Sequence, residues 1–443
     1  MNRVGALPVS PVLRATTALL RRAHSMSLLR NSVYIMATTA TTSFLGFFYW
    51  MAAARGYPAH DVGLTSALIT AMSLASSIAN VGIPTAIIQV LPRRESRHAW
   101  SRTVNGALLT GTLSALLVGL AVAVGLPVLA HQFAVLQRSQ IYFWSFVVSV
   151  PLMSLGTIID NLFIAERSAG KMLVRNTFFG VLKLGLVIAF VVLGAPFFGI
   201  FLSWVLGLAA GALLAFAVLI PQLHRGYTLS IEGLGEMRSI VGPLAGNYVI
   251  NLGYMIPFYL LPVAVTVRVS PTANAYFYTT YMLAGAAFLI SPSVSSSLLA
   301  EGSYAEQSLM SQVRTSFLVI GALLIPVGLV LLLAGRQVLS FFGPLYSSHG
   351  FPLLVILVIS TIPEAVTNVY MSVLRVRHLL RYGAVYNTVL ATLILVFAWI
   401  LLPHFGIVGV GMGWLIAQLL GTVVAAIHVL WDLSRRAKLR PAA

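Results

Sequence analysis

Hydrophobic and polar positions along this chain do not alternate with the short period of a half-buried strand. They fall into about twelve long apolar runs separated by brief polar breaks. A hydrocarbon core of roughly 30 Å takes about 20 helical residues to cross. Runs of that length lie at 31–53, 61–83, 103–129, 140–165, 173–194 and 197–220, then at 240–266, 272–297, 314–334, 350–373, 382–402 and 406–431. The pattern predicts an all-α polytopic membrane protein with about twelve transmembrane helices. Composition agrees, with 59% hydrophobic and 8% charged residues and a mean hydropathy of +0.94. Soluble domains carry roughly 25% charge.

The runs repeat. Asn31-Ser-Val-Tyr-Ile opens a span that ends in the turn Arg55-Gly-Tyr-Pro-Ala-His-Asp61, and Asn247-Tyr-Val-Ile opens one that ends in Arg268-Val-Ser-Pro-Thr-Ala-Asn274. Pro196-Phe-Phe-Gly-Ile and Pro403-His-Phe-Gly-Ile stand 207 residues apart, as do Asn161 and Asn368, while Asn176-Thr and Asn387-Thr stand 211 apart. Four echoes in one order predict two homologous six-helix lobes in parallel topology. The expected division is a basic tail (1–30), an N-lobe (31–222), a linker (223–239), a C-lobe (240–431) and a second basic tail (432–443).

Charge changes the picture by fixing orientation. The net charge is +17, and most of the 27 lysines and arginines fall in the two tails and the even-numbered connections. The opposite side holds Arg55, Arg138, Arg268 and Arg336. Such a bias places both termini in the cytoplasm of a bacterial inner membrane and points to anionic headgroups, not to nucleic acid. The N-terminal stretch lacks the apolar core of a cleaved signal peptide and is expected to be a cytoplasmic tail. Cysteine is absent, which removes disulfides and thiolate metal sites. No phosphate-binding loop, HExxH or Gly-x-Ser-x-Gly pattern occurs, so no cofactor and no metal are expected.

With short connections throughout, function must lie among the helices. Polar side chains concentrate on spans 1, 2, 7 and 8, with Asn31, Thr38, Thr42, Asn80, Asn247, Asn251, Tyr254, Tyr278 and Tyr281 the chosen pathway residues. Amides and flat aromatic rings suit sugar hydroxyls and sugar faces. Pro257 and Pro262 are expected to break span 7, as in helices that line transporter cavities. The alternative for each Ser or Thr is close helix packing or a bond to its own backbone.

Three ionisable groups fall inside spans: Asp160, Lys183 and Glu364. Each is costly in hydrocarbon and marks an ion pathway or a paired charge. Measured from Arg167 and Arg175, Asp160 and Lys183 sit about 10 and 12 Å deep at 1.5 Å per residue, and are expected to pair or share a pocket. Glu364 follows Pro363 near the midplane, and a desolvated carboxyl there is suited to exchanging H⁺ or binding Na⁺. Arg55 and Arg268, at the outer ends of spans 1 and 7, are either interfacial anchors or phosphate contacts at the outward mouth.

Arg30-Asn-Ser-Val-Tyr, the turn Arg55-Gly-Tyr-Pro-Ala-His-Asp-Val-Gly-Leu-Thr-Ser-Ala, Asn80-Val-Gly-Ile-Pro-Thr-Ala, Leu91-Pro-Arg and Phe405-Gly-Ile-Val-Gly-Val-Gly resemble bacterial polysaccharide biosynthesis transporters. These are the Wzx-type O-antigen and exopolysaccharide flippases of the multidrug/oligosaccharidyl-lipid/polysaccharide exporter superfamily. The resemblance implies two lobes around a V-shaped cavity, alternating access, and transfer of undecaprenyl-diphosphate-linked oligosaccharide to the outer leaflet, without enzymatic activity. It also implies a cationic cavity, whereas spans 1, 2, 7 and 8 carry no mid-membrane Arg or Lys and Lys183 is the one candidate. The competing readings are a proton- or sodium-coupled multidrug cation antiporter and a membrane glycan polymerase or acyltransferase. A monomer is expected, with Gly207-x-x-x-Gly211 used inside the bundle.

Overall fold

A computed structural model describes residues 11–80, 82–196, 198–224, 227–228, 230–231, 233–302 and 309–438. Among them the chain is almost entirely helical. Lipid cannot satisfy a bare backbone, so the apolar runs close their hydrogen bonds within each segment. In chain order the helices are α1 (Pro11–Gly56), α2 (Ala59–Asn80), α3 (Ile83–Val90), α4 (Arg97–Leu129), α5 (Val135–Arg138), α6 (Gln140–Ala165), α7 (Ala169–Val192) and α8 (Phe198–Leu214). They continue with α9 (Leu234–Arg268), α10 (Pro271–Phe288), α11 (Ile290–Gly302), α12 (Leu309–Ser340), α13 (Pro344–Val376), α14 (Leu380–Phe405) and α15 (Ile407–Lys438).

All twelve predicted spans land on these helices. Among the described residues ten helical segments are long and apolar enough to cross a membrane, and α9 adds a shorter apolar stretch, Met255–Arg268. The run Thr38–Ser43 dilutes the hydropathy of α1 without interrupting it.

The structure departs from expectation in three places. The basic stretch before residue 30 belongs to α1, which begins at Pro11. Its Ala, Leu and Arg are strong helix formers, and proline is tolerated in a first turn. α9 runs unbroken through Pro257 and Pro262. Each proline withdraws one N–H and leaves the carbonyl four residues earlier without its helical donor, while Thr266 adds a hydroxyl bond to the Pro262 carbonyl at 2.9 Å. The second span of each half is divided near its end, α2 from α3 and α10 from α11, so the sequence repeat has a structural counterpart.

Packing follows the two halves. α1 lies along α7 and α7 along α8, with α4 on α6; α14 lies along α15, with α13 between α12 and α15. α2 crosses to α9 and α10 and forms the seam between them. At the Arg55 end of the molecule this seam is tight. Tyr49, Trp50 and Ala53 of α1 are buried there, as are Ala275 and Phe277 of α10. Toward the basic end the same helices become exposed: Met36 of α1 reaches 71% and Leu289, just after α10, 57%. At the basic end the start of α9 still packs on the first half, with Met237 buried against Ile83, Leu91 and Trp100.

Candidate transport pathway

The tight end of the seam is built from backbone. Asn274 donates its amide to the Gly63 carbonyl at 2.8 Å and to the Ser66 hydroxyl at 3.0 Å. At Gly63 a Cβ would overlap the Pro271 carbonyl, so only glycine lets α2 and α10 come this close. Arg55 donates from Nε to the Phe341 carbonyl at 2.8 Å and from Nη2 to that of Ser340 at 3.2 Å. Gln132 reaches the Val267 carbonyl at 3.0 Å. Arg55 and Gln132 of the first half and Asn274 of the second thus tie the halves together at this end. Arg268 does not mirror Arg55; its guanidinium stacks over Trp399, 4.9 Å from the ring centre.

Two polar nests lie deeper, one in each half. In the first, both oxygens of Asp160 on α6 are bound. Arg175 donates from Nε at 3.1 Å and Nη2 at 3.0 Å, and the Asn176 amide lies 3.0 and 3.1 Å from the same oxygens. This is a fork-to-fork pair, the strong form of a charge-assisted bond. The expected Asp160–Lys183 partnership is therefore corrected. Arg175 is not at the membrane edge; it lies eight residues beyond the turn at Arg167, and Asp160 seven before it, so the two are level. Lys183 is eight residues further along α7, about 12 Å deeper. There it stands over aromatic rings from three helices, 3.6 Å from the Trp204 centre, 4.6 Å from Phe179 and 5.0 Å from Tyr49. Trp50, beside Tyr49, meets Tyr278 of α10 at 4.8 Å across the seam.

The second nest surrounds Glu364 of α13, which is 2% exposed. A cavity of about 20 Å³, room for one water, is lined by Glu364, Thr367, Asn368, Asn387, Trp414 and Gln418. Thr367 donates to Gln418 at 2.8 Å and Asn368 to Ser291 at 2.9 Å, while Glu364 Oε2 is buried with no hydrogen-bond partner among the described residues. The repeat offset of 207 carries Thr157 to Glu364, Asp160 to Thr367 and Asn161 to Asn368; that of 211 carries Arg175 to Tyr386 and Asn176 to Asn387. The two nests are equivalent in position and opposite in state. Arginine closes the first, and tyrosine replaces that arginine in the second.

The remaining pathway residues take several places. Asn31 accepts the Ala169 N–H at 2.9 Å and caps α7. Thr38 and Thr42 bond back to carbonyls one turn earlier, at 2.8 Å each. Asn80 accepts the Ser154 hydroxyl at 2.7 Å. On α2 and α10, Thr70, Ser73, Thr279 and Thr280 likewise bond to their own helices. Back-bonded hydroxyls of this kind permit close helix packing. Tyr281 packs among Phe277, Phe258 and Trp414. The side chains of Asn247, Asn251 and Tyr254 lie outside the described residues. Sequence reasoning missed Arg175, Trp204 and Gln418; equal counting from the turn at Arg167 identifies the first.

No protein family model and no curated protein matches the sequence. Solved structures do. A multidrug resistance MATE family transporter of the MOP superfamily, in its inward-facing conformation, superposes with TM-score 0.69 at 13% identity, covering 92% of this chain and 99% of that one. The lipid II flippase MurJ, in an inward closed conformation, gives 0.70 at 13% identity over 90% and 87%. The chain has the fold of MOP-superfamily transporters. A MATE transporter captured outward-facing gives only 0.60 at 14% identity over 94% and 96%.

Proposed function

We propose that this protein is a flippase for a lipid-linked oligosaccharide. It would move undecaprenyl-diphosphate-linked sugar from the inner to the outer leaflet by alternating access between an N-lobe (31–222) and a C-lobe (240–431). Localisation to a bacterial inner membrane with both termini cytoplasmic follows from the distribution of basic residues. The lobes would then be closed outward at Arg55 and open toward the cytoplasm.

One observation carries the reading: the intramembrane cation Lys183 is linked to the seam by a run of aromatic rings. Asp160 is neutralised by Arg175 and Asn176, and Glu364 is enclosed within the C-terminal half. Lys183 connects to Tyr278 through two rings, Tyr49 and Trp50. A diphosphate is attracted to that arrangement, whereas a cationic drug needs a carboxylate facing the seam. Outward opening would release Arg55 from the Phe341 and Ser340 carbonyls and offer its fork to the diphosphate at the outer mouth. Glu364, as a carboxyl without a counter-ion, supplies the coupling site for H⁺ or Na⁺.

Deleting the gene in its host tests this directly. Undecaprenyl-linked repeat units accumulating on the cytoplasmic leaflet, with loss of surface glycan, support a flippase. Normal glycan with new sensitivity to cationic dyes overturns it in favour of a cation antiporter.

A further inference from the structure

A second feature lies away from the seam. α12, α13 and α15, all from the C-terminal half, enclose a groove of about 600 Å³ near the basic end. Its walls are apolar, including Val313 and Phe317 of α12, Val366 and Val373 of α13, and Ala426 and Val429 of α15. Along α13 it extends from Val366 to Arg377, about 16 Å at 1.5 Å per residue. That is half of a roughly 30 Å hydrocarbon core, the depth of one leaflet.

Polarity is confined to one end. Arg377 lines the groove there and donates to Asp432 at 2.7 Å. Arg314 lines a second hollow that shares Met310, Val313 and Phe317 with the first. Arg375 and Arg381 are exposed at the same end. Halfway up, Tyr370 is hydrogen-bonded to His428 at 2.9 Å.

We propose that this groove binds one anionic diacyl phospholipid of the basic-side leaflet. Its chain would fill the slot between α12 and α15, and its phosphate would meet Arg314 and Arg377. The depth of one leaflet sets the tail, and the excess of arginine sets the headgroup. Because all three helices belong to one half, the occupant is a resident lipid and not the cargo carried between halves. Neutral lipid would pack the walls equally well but bring no net negative charge to the arginines.

The full-length protein, purified in detergent and exchanged with dioleoyl phosphatidylglycerol or dioleoyl phosphatidylcholine, tests the site by native mass spectrometry. The expected result is one retained phosphatidylglycerol per chain, at least fivefold preferred. Ala426→Trp, at an exposed wall position, should cut retention tenfold, as should Val429→Trp if the first variant folds poorly. Arg314→Gln should reduce the headgroup preference while leaving a bound lipid. Equal retention of the two lipids overturns the proposal, as does unchanged retention in a folded Ala426→Trp. Displacement of phosphatidylglycerol by undecaprenyl phosphate also overturns it, since the groove would then hold cargo. Binding is read without transport, so the outcome is independent of whether the flippase reading stands.

Discussion

At the scale of single residues the two nests call for opposite experiments. Asp160 has all its acceptor capacity engaged by Arg175 and Asn176. Removing one partner of a buried pair strands the other, at about 3–5 kcal/mol. Arg175→Met should therefore unfold at clearly lower temperature than wild type in a detergent melt. Asp160→Asn combined with Arg175→Gln should recover most of that loss and retain flipping. A transport-dead but stable double variant would show that the pair does more than hold α6 to α7. Glu364 has no such counter-ion among the described residues, so Glu364→Gln should leave stability within about 1 kcal/mol, the range of a volume-conserving swap. In proteoliposomes under an imposed H⁺ or Na⁺ gradient it should lower driven flipping at least tenfold. Undiminished driven flipping would remove Glu364 from the coupling path. Lys183→Met keeps the length of the side chain among Trp204, Phe179 and Tyr49 while deleting its charge. Weaker binding of an undecaprenyl diphosphate probe, with unchanged melting, is the expected result.

Among elements, the α2–α10 crossing and the connection between the halves matter most. Gly63→Val places a side chain where the Pro271 carbonyl stands. The tight seam cannot then form, and the population should shift toward the outward-open state. The chain has no cysteine, so two introduced thiols, one on each half at the Arg55 end, can carry spin labels without background. Their separation should lengthen in Gly63→Val and in Gly63→Ser alike, since both add the Cβ that overlaps the Pro271 carbonyl. The connection before α9 is pinned differently. Tyr227 donates its hydroxyl to Asn105 at 2.6 Å, and Asn105 donates to the Thr228 carbonyl at 3.0 Å. Burial pushes the Tyr227 hydroxyl up to about 12 from its ordinary 10.0. A group held protonated in the folded state contributes fully below its unfolded value and loses that contribution as pH rises through the folded one. Between about pH 10 and 12 the wild type should lose an increment of stability that Tyr227→Phe lacks throughout.

For the whole molecule, the apolar runs made the fold legible, because a span in lipid must close its own hydrogen bonds and so announces itself by length alone. The repeat was legible for the same reason, although the break at Leu289 between α10 and α11 falls inside a span that the pattern left continuous. The site was legible only in part. Asp160, Lys183 and Glu364 stand out because charge in hydrocarbon is rare, yet their partners depend on which faces of α6, α7 and α13 meet. Counting from a presumed membrane edge misassigned Arg175. Hydroxyls on α2 and α10 carried no such signal, since a Ser that packs and a Ser that faces water are the same letter. What decides between a packed seam and a wet one is motion, and that can be tested on the closed end itself. Ser66 and Asn274 stand across the seam, hydroxyl to amide at 3.0 Å. If the halves rock about the membrane, Ser66→Cys/Asn274→Cys joined by a short reducible bis-thiol linker should stop flipping, and reduction should restore it. The same linker between two cysteines placed within the N-terminal half should leave flipping intact. Continued flipping with the seam closed would mean that the cargo passes along one half and not between the two, and alternating access would have to be abandoned for this chain.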